Sequence, residues 1–75
     1  MGRWIVIRGL VQGRIVSALD SLGRASTYKI AREAGLDWKT TKTYLLRLEE
    51  RGEVESMRYH NKILWNFTED EITGN

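Results

Sequence analysis

The chain contains no cysteine, no proline, one histidine and one phenylalanine. Without cysteine there is no disulfide framework and no thiolate metal site, a composition that fits the cytoplasm. His60 alone leaves no Ser-His-acid or Cys-His set for nucleophilic catalysis. Glu49, Glu50 and Glu53 show no recognisable metal-ligand spacing with His60, so neither a metal nor another cofactor is expected. No apolar run approaches the roughly 20 residues of a membrane-spanning helix. Ile5–Ile7 is too short for the core of a signal peptide, and no cleavage site accompanies it. The 75 residues suit one domain, with little room for a substrate cavity and a core small enough to gain from an oligomer. An enzyme is not expected, and no small-molecule site is visible.

Charge is present but unevenly spread. The net charge is only +2, yet nine basic and three acidic residues fall at or before Leu48, and three basic and seven acidic residues follow it. A basic block facing one way suits a nucleic-acid partner.

The chain is organised around Thr27–Gly52, which reads as two helices joined by a tight turn. Asp37 can cap the second helix through its side-chain oxygen. Trp38, Thr41, Leu45 and Leu48 recur at helical spacing and predict a buried stripe. Between them stand Lys39, Thr40, Lys42, Thr43 and Arg47, basic and hydroxyl groups without an acid. Glu49 and Glu50 come only afterwards, and Gly52 can end the helix in a left-handed cap. Ala31 is small enough for two helices to cross closely, Gly35 supplies the turn's positive φ, and Thr41 fits the angle between the helices.

Before this centre, Gly2–Arg8 reads as a strand, because Ile5-Val6-Ile7 is β-branched and follows Trp4. Gly9 and Gly13 argue against a helix running through, at about 1 kcal/mol each. Leu10–Leu22 reads as the first helix, closed by Gly23. Arg24-Ala25-Ser26 can add one small strand, and Ser26 or Thr27 caps the second helix, Tyr28–Ala34. Tyr28 reads as a packing residue. After Gly52 the period changes. Val54–Arg58 and Ile63–Phe67 read as strands around the turn Tyr59-His60-Asn61-Lys62, with Ile63, Trp65 and Phe67 on the core face. Glu69–Asn75 reads as a frayed acidic tail.

This order resembles the winged helix-turn-helix family. The segment Leu36–Val54 looks like that family's recognition-helix segment: a hydroxyl-rich, basic first half, a leucine pair, then Leu48-Glu49-Glu50-Arg51-Gly52. Leu64–Glu69 looks like its closing wing strand. The expected fold is therefore α+β, a winged helix-turn-helix of three helices plus a β-hairpin wing, with an extra N-terminal strand. Its divisions are residues 1–8 for the strand, 10–52 for the helices, 53–68 for the wing and 69–75 for the tail. The resemblance implies sequence-specific binding of double-stranded DNA by a small transcription regulator, with helix 38–51 in the major groove. Lys39, Thr40, Lys42, Thr43 and Arg47 would then face DNA, and Arg58, His60, Asn61 and Lys62 at the wing tip would reach the adjacent backbone or minor groove. Left as a solvated loop residue, His60 needs no such role.

Two rivals stand beside this reading. Winged-helix domains that bind left-handed Z-DNA use an Asn and a Tyr on the recognition helix, a Trp in the last strand and prolines in the wing. Trp65 matches, but Lys42 and Leu46 stand at the Asn and Tyr positions, and proline is absent. Other winged helices are protein-interaction modules that do not bind DNA, a role that the outward Leu46 favours. An unpartnered apolar strand is a pairing hazard. Trp4, Ile5, Val6 and Ile7 therefore predict a homodimer, paired antiparallel through this strand about a two-fold axis, the alternative being that the strand folds back onto its own wing sheet as an extra edge.

Overall fold

The computed structural model describes residues 3–68, and side chains from residue 9 to 68. Met1, Gly2 and the expected acidic tail at 69–75 lie outside the described residues. The elements run α1 (Arg3–Leu22), β1 (Ala25–Ser26), α2 (Thr27–Ala34), α3 (Trp38–Glu50), β2 (Val54–Tyr59) and β3 (Lys62–Phe67). The strands form one antiparallel sheet in the order β1-β3-β2.

Local chemistry sets most of these boundaries. Ser26 caps α2, its Oγ accepting from the Lys29 N–H at 3.3 Å. Gly35 ends α2 with φ of 72°, a left-handed conformation that costs a glycine little, and Leu36 N–H then reaches back to the Ala31 carbonyl at 3.0 Å. Asp37 caps α3, with Oδ2 accepting from the Thr40 N–H at 3.0 Å. At the other end of α3 the Glu53 N–H closes on the Leu48 carbonyl at 2.9 Å, past a left-handed Gly52. The β2–β3 hairpin turns through His60 and Asn61, with φ of 49° and 65°. Two successive positive φ values are what a right-twisted two-residue hairpin demands. Asn61 fits the expectation; His60 joins it in the left-handed region.

The core lies where the three helices meet one face of the sheet. Ile15 and Leu19 of α1, Ile30 of α2, Leu45 and Leu48 of α3, Val54 and Trp65 fill it. Trp65 is 1% exposed, and its indole N–H donates to Thr27 Oγ1 at 2.8 Å, so this buried donor is satisfied. Thr41 is fully buried as a plug between α2 and α3, its hydroxyl donating to the Asp37 carbonyl at 2.9 Å.

Four expectations need correction. The N-terminal strand is absent: the backbone from Arg3 is helical and continuous with α1. Glycines weaken a helix without forbidding it, and β-branched residues accept helical geometry when no sheet edge pairs with them. Beyond the helix's own neighbouring backbone, nothing described lies within 4 Å of a Cβ placed at Gly9 or Gly13, so neither is required by close packing. A dimer by strand pairing through Trp4–Ile7 loses its strand with this finding. The second correction is Trp38, assigned to the buried stripe but 50% exposed. Tyr28, read as packing, is 61% exposed. Ile63 also sits at the rim, exposed rather than in the core face with Trp65.

Candidate nucleic-acid interface

Helical periodicity divides α3 into two faces. Thr41, Leu45 and Leu48 point into the core. On the opposite side Lys39, Thr43 and Leu46 are exposed in one stripe, with Arg47 exposed beside it. Glu50 continues the stripe at the C-terminal end and is exposed too. A polyanion therefore meets attractive charge on the first two turns and repulsion on the last.

Thr40 and Lys42 are half-buried on the flanks of that stripe. The Lys42 Nζ lies 5.1 Å from the Trp38 ring centroid, and the Arg47 guanidinium 5.5 Å from that of Tyr44. These contacts, worth about 0.5–1 kcal/mol at exposed sites, restrain two long cations without neutralising them. Two acids near this face, Glu49 and Glu53, are occupied elsewhere. Glu49 Oε2 accepts from Ser56 Oγ at 2.8 Å, joining α3 to the hairpin. Arg51 and Glu53, 3.9 Å apart, form the one ion pair within 4 Å among the described residues. Among the described residues, Lys39, Lys42, Arg47, Arg58 and Lys62 thus have no acidic partner at that distance.

Two hydroxyl groups have defined states. The Thr43 hydroxyl donates to the Lys39 carbonyl at 3.0 Å, so its proton is engaged, and its methyl and the hydroxyl's acceptor lone pairs are left to meet a partner. Thr40 lends its backbone N–H to Asp37, and hydrogen bonds from Thr40 hold the Asp37 carboxyl below its ordinary pKa. The N-terminus of α3 is therefore filled by its own carboxylate and is not a vacant phosphate site.

At the wing tip Arg58, His60, Asn61 and Lys62 are all exposed. Tyr59 and His60 meet edge to face with centroids 4.2 Å apart. The hairpin brings Asn61 and Lys62 to α3: both line a cleft with Lys42, Trp38, Tyr28 and Ile63. Lys39, Thr40, Thr43, Arg47 and Arg58 are not among its lining residues. Trp38 and Tyr28 are the members that sequence patterning misses. The available signal is position: each stands in the first turn of its helix just after a cap. Side chains tilt toward the helix N-terminus, so a first-turn aromatic can project past the packed body.

Among the described residues no group of three or more His, Asp or Glu side chains could hold a metal, and no helix is long and apolar enough to cross a membrane.

No protein-family model matches the chain, and no curated protein does. Several solved structures share its fold. The Zalpha domain of Carassius auratus PKZ, solved in complex with Z-DNA, superposes with a TM-score of 0.68 at 24% identity, over 77% of this chain and 92% of that one. Bordetella bronchiseptica BpsR, whose DNA binding is regulated by 6-hydroxynicotinic acid, gives a TM-score of 0.73 at 22% identity, over 79% of this chain and 44% of that one. A homodimeric winged helix-turn-helix DNA-binding domain from Mycobacterium bovis, a possible ArsR-family transcriptional regulator, gives 0.60 at 20% identity, over 89% of this chain and 71% of that one. The chain spans less than half the length of BpsR.

Proposed function

Since the chain is a winged helix-turn-helix domain, we propose that it binds double-stranded DNA in a sequence-dependent way and acts as a small transcription regulator. The first half of α3 enters the major groove, and the wing tip rests on the adjacent backbone or minor groove. The observation that carries this reading is the basic face of α3: Lys39 and Arg47 exposed and Lys42 half-buried on the flank, none with an acidic partner within 4 Å among the described residues, around the exposed Thr43. Lys39 and Thr43 stand where base edges are reached; Arg47, further along the helix, meets phosphate. Right-handed duplex is favoured over Z-DNA because Lys42 and Leu46 replace the Asn and Tyr that the resemblance would require. A DNA-binding role would place the protein in the cytoplasm, on the nucleoid.

The test is titration of duplex DNA at two salt concentrations. With about four to six cations on phosphates, log affinity should fall with log salt by about 0.9 per contact, and Lys42→Ala should lower that slope by about one. A folded protein that binds no duplex at low salt refutes the proposal. That result would favour the second reading, a protein-docking module, which the 45% exposure of Leu46 within the same stripe supports.

A homodimer is part of the proposal, with helical arms in place of the expected strands. Leu10 is 64% exposed on α1, and Trp4, Ile5, Val6 and Ile7 precede it on the same helix. The exposed Leu10 and the apolar composition of the residues before it support this reading. Deleting residues 1–8 should convert a dimer to a monomer in a solution-mass measurement; a monomeric parent refutes this part alone.

A further inference from the structure

Single exposed apolar side chains are ordinary on protein surfaces; several converging from different elements are not. Tyr28 from α2, Trp38 from α3 and Ile63 from β3 line one cleft of about 340 Å³. All three are exposed, Tyr28 and Trp38 by half or more. Lys42, Lys62, Asn61, Ser26 and Thr27 complete the lining. No acid contributes. The volume falls within the roughly 300–1,000 Å³ of small-ligand sites.

The chemistry of this lining specifies its occupant. Two lysines ask for an anion, and aromatic faces ask for a flat ring. Each ring also has a cation near it: Lys42 Nζ lies 5.1 Å from the Trp38 centroid, and the Arg32 guanidinium 5.8 Å from that of Tyr28. A nucleotide joins both demands within one residue. A paired base cannot meet them, because in a duplex its faces are stacked on its neighbours and only its edges reach the grooves. An unpaired base offers a free face for aromatic stacking.

We propose that this cleft binds an unpaired nucleotide of DNA, its base stacked on Trp38 beside Tyr28 and its phosphate held by Lys42 and Lys62. The cleft lies between the helix and the wing that are proposed to grip the duplex. An extruded or bulged nucleotide can therefore enter it while the flanking duplex stays bound. The assignment to DNA rests on the duplex-binding reading; the stacking site itself does not.

The experiment compares three duplexes of one sequence with the full chain: fully paired, carrying one unpaired nucleotide, and carrying one unpaired abasic residue. The abasic duplex has the same backbone distortion but no base to stack. The unpaired base should raise affinity by about tenfold or more over both others, as expected for one base–aromatic stack. Tryptophan emission should be quenched only by that duplex. Trp38→Ala should abolish the preference, read as a ratio of affinities, and Trp38→Phe should keep most of it. Because Trp38 is half exposed, these variants are expected to stay folded, which their melting curves check. Tyr28→Ala gives an independent reading from the other wall.

Equal affinity for all three duplexes overturns the nucleotide site while leaving duplex binding intact. A preference shared by the abasic duplex overturns it too, since distortion then explains the effect. Binding to a single strand but to no duplex, lost with Trp38→Ala, would refute the duplex reading and sustain the stacking site.

Discussion

Trp65 and Trp38 place the same side chain in opposite surroundings. Trp65 sits in β3 at 1% exposure, ringed by the core and hydrogen-bonded to Thr27; Trp38 opens α3 at 50% exposure with a lysine near its ring. The contrast extends to the elements that carry them. The inner side of the fold satisfies its groups internally, down to the buried hydroxyls of Thr27 and Thr41. The outer side leaves cations without an acidic partner within 4 Å among the described residues, and large aromatic rings exposed. Substitutions on the first side should therefore change folding, and those on the second should change binding with little effect on folding.

The largest expected effect tests the inner half of that contrast. Trp65→Ala should destabilise the domain by about 3–5 kcal/mol, the usual cost of deleting a buried large aromatic. For a domain this small that is much of the total stability. Thr27→Val keeps the shape but leaves the indole N–H without its partner, at about 1–3 kcal/mol. Thermal or denaturant unfolding of both variants measures the difference. If Trp65→Ala melts near the parent, Trp65 does not seal the core.

A subtler break is available on the outer face, at Thr43. Its proton is already given to the Lys39 carbonyl, so under the DNA-binding proposal its methyl is the expected contact group. Thr43→Val retains a methyl there and should keep the parent's preference among duplex sequences. Thr43→Ala removes the methyl and should relax one position of the preferred site by about 1 kcal/mol, the low end for a mismatched base pair. Selection from random duplexes reads both variants. A preference altered by Val and by Ala alike would assign the contact to the hydroxyl instead.

The same contrast explains what the sequence made legible. The core stripe Thr41, Leu45, Leu48, the caps at Ser26 and Asp37, and the glycine turns at Gly35 and Gly52 are local signals that the packing reinforces. Where local preference opposed the tertiary setting, the reading failed. Ile5-Val6-Ile7 has the composition of a strand, but the sheet is built from β1, β3 and β2, and the segment continues α1. Trp38 keeps the period of the stripe but occupies the first helical turn, beyond the reach of the core. Tyr28 does the same in α2. The cations of α3 could be placed on its outer face from periodicity alone. The cleft could not, because it depends on the hairpin folding back beside α3, a long-range pairing that no local pattern encodes.

The smallest effect concerns the junction between the two sides, the Asp37 cap. Its carboxylate accepts from the Thr40 backbone, and hydrogen bonds from Thr40 lower its pKa below 3.8. A carboxyl whose folded pKa is depressed stabilises the fold above its unfolded pKa, and that contribution fades as pH falls through the folded value. At neutral pH, Asp37→Ala should therefore melt modestly below the parent. The gap should narrow as pH drops below 3.8 toward the lowered folded pKa, where the parent's carboxyl becomes neutral and keeps only an uncharged cap. Asp37→Asn caps without titrating, so its deficit against the parent should also shrink in acid while its advantage over Ala persists. Melting curves of the three proteins at neutral and acid pH provide the check. A gap between parent and Asp37→Ala that widened in acid would mean that the charged carboxylate opposes the fold, and the role assigned to it at the head of α3 would be wrong.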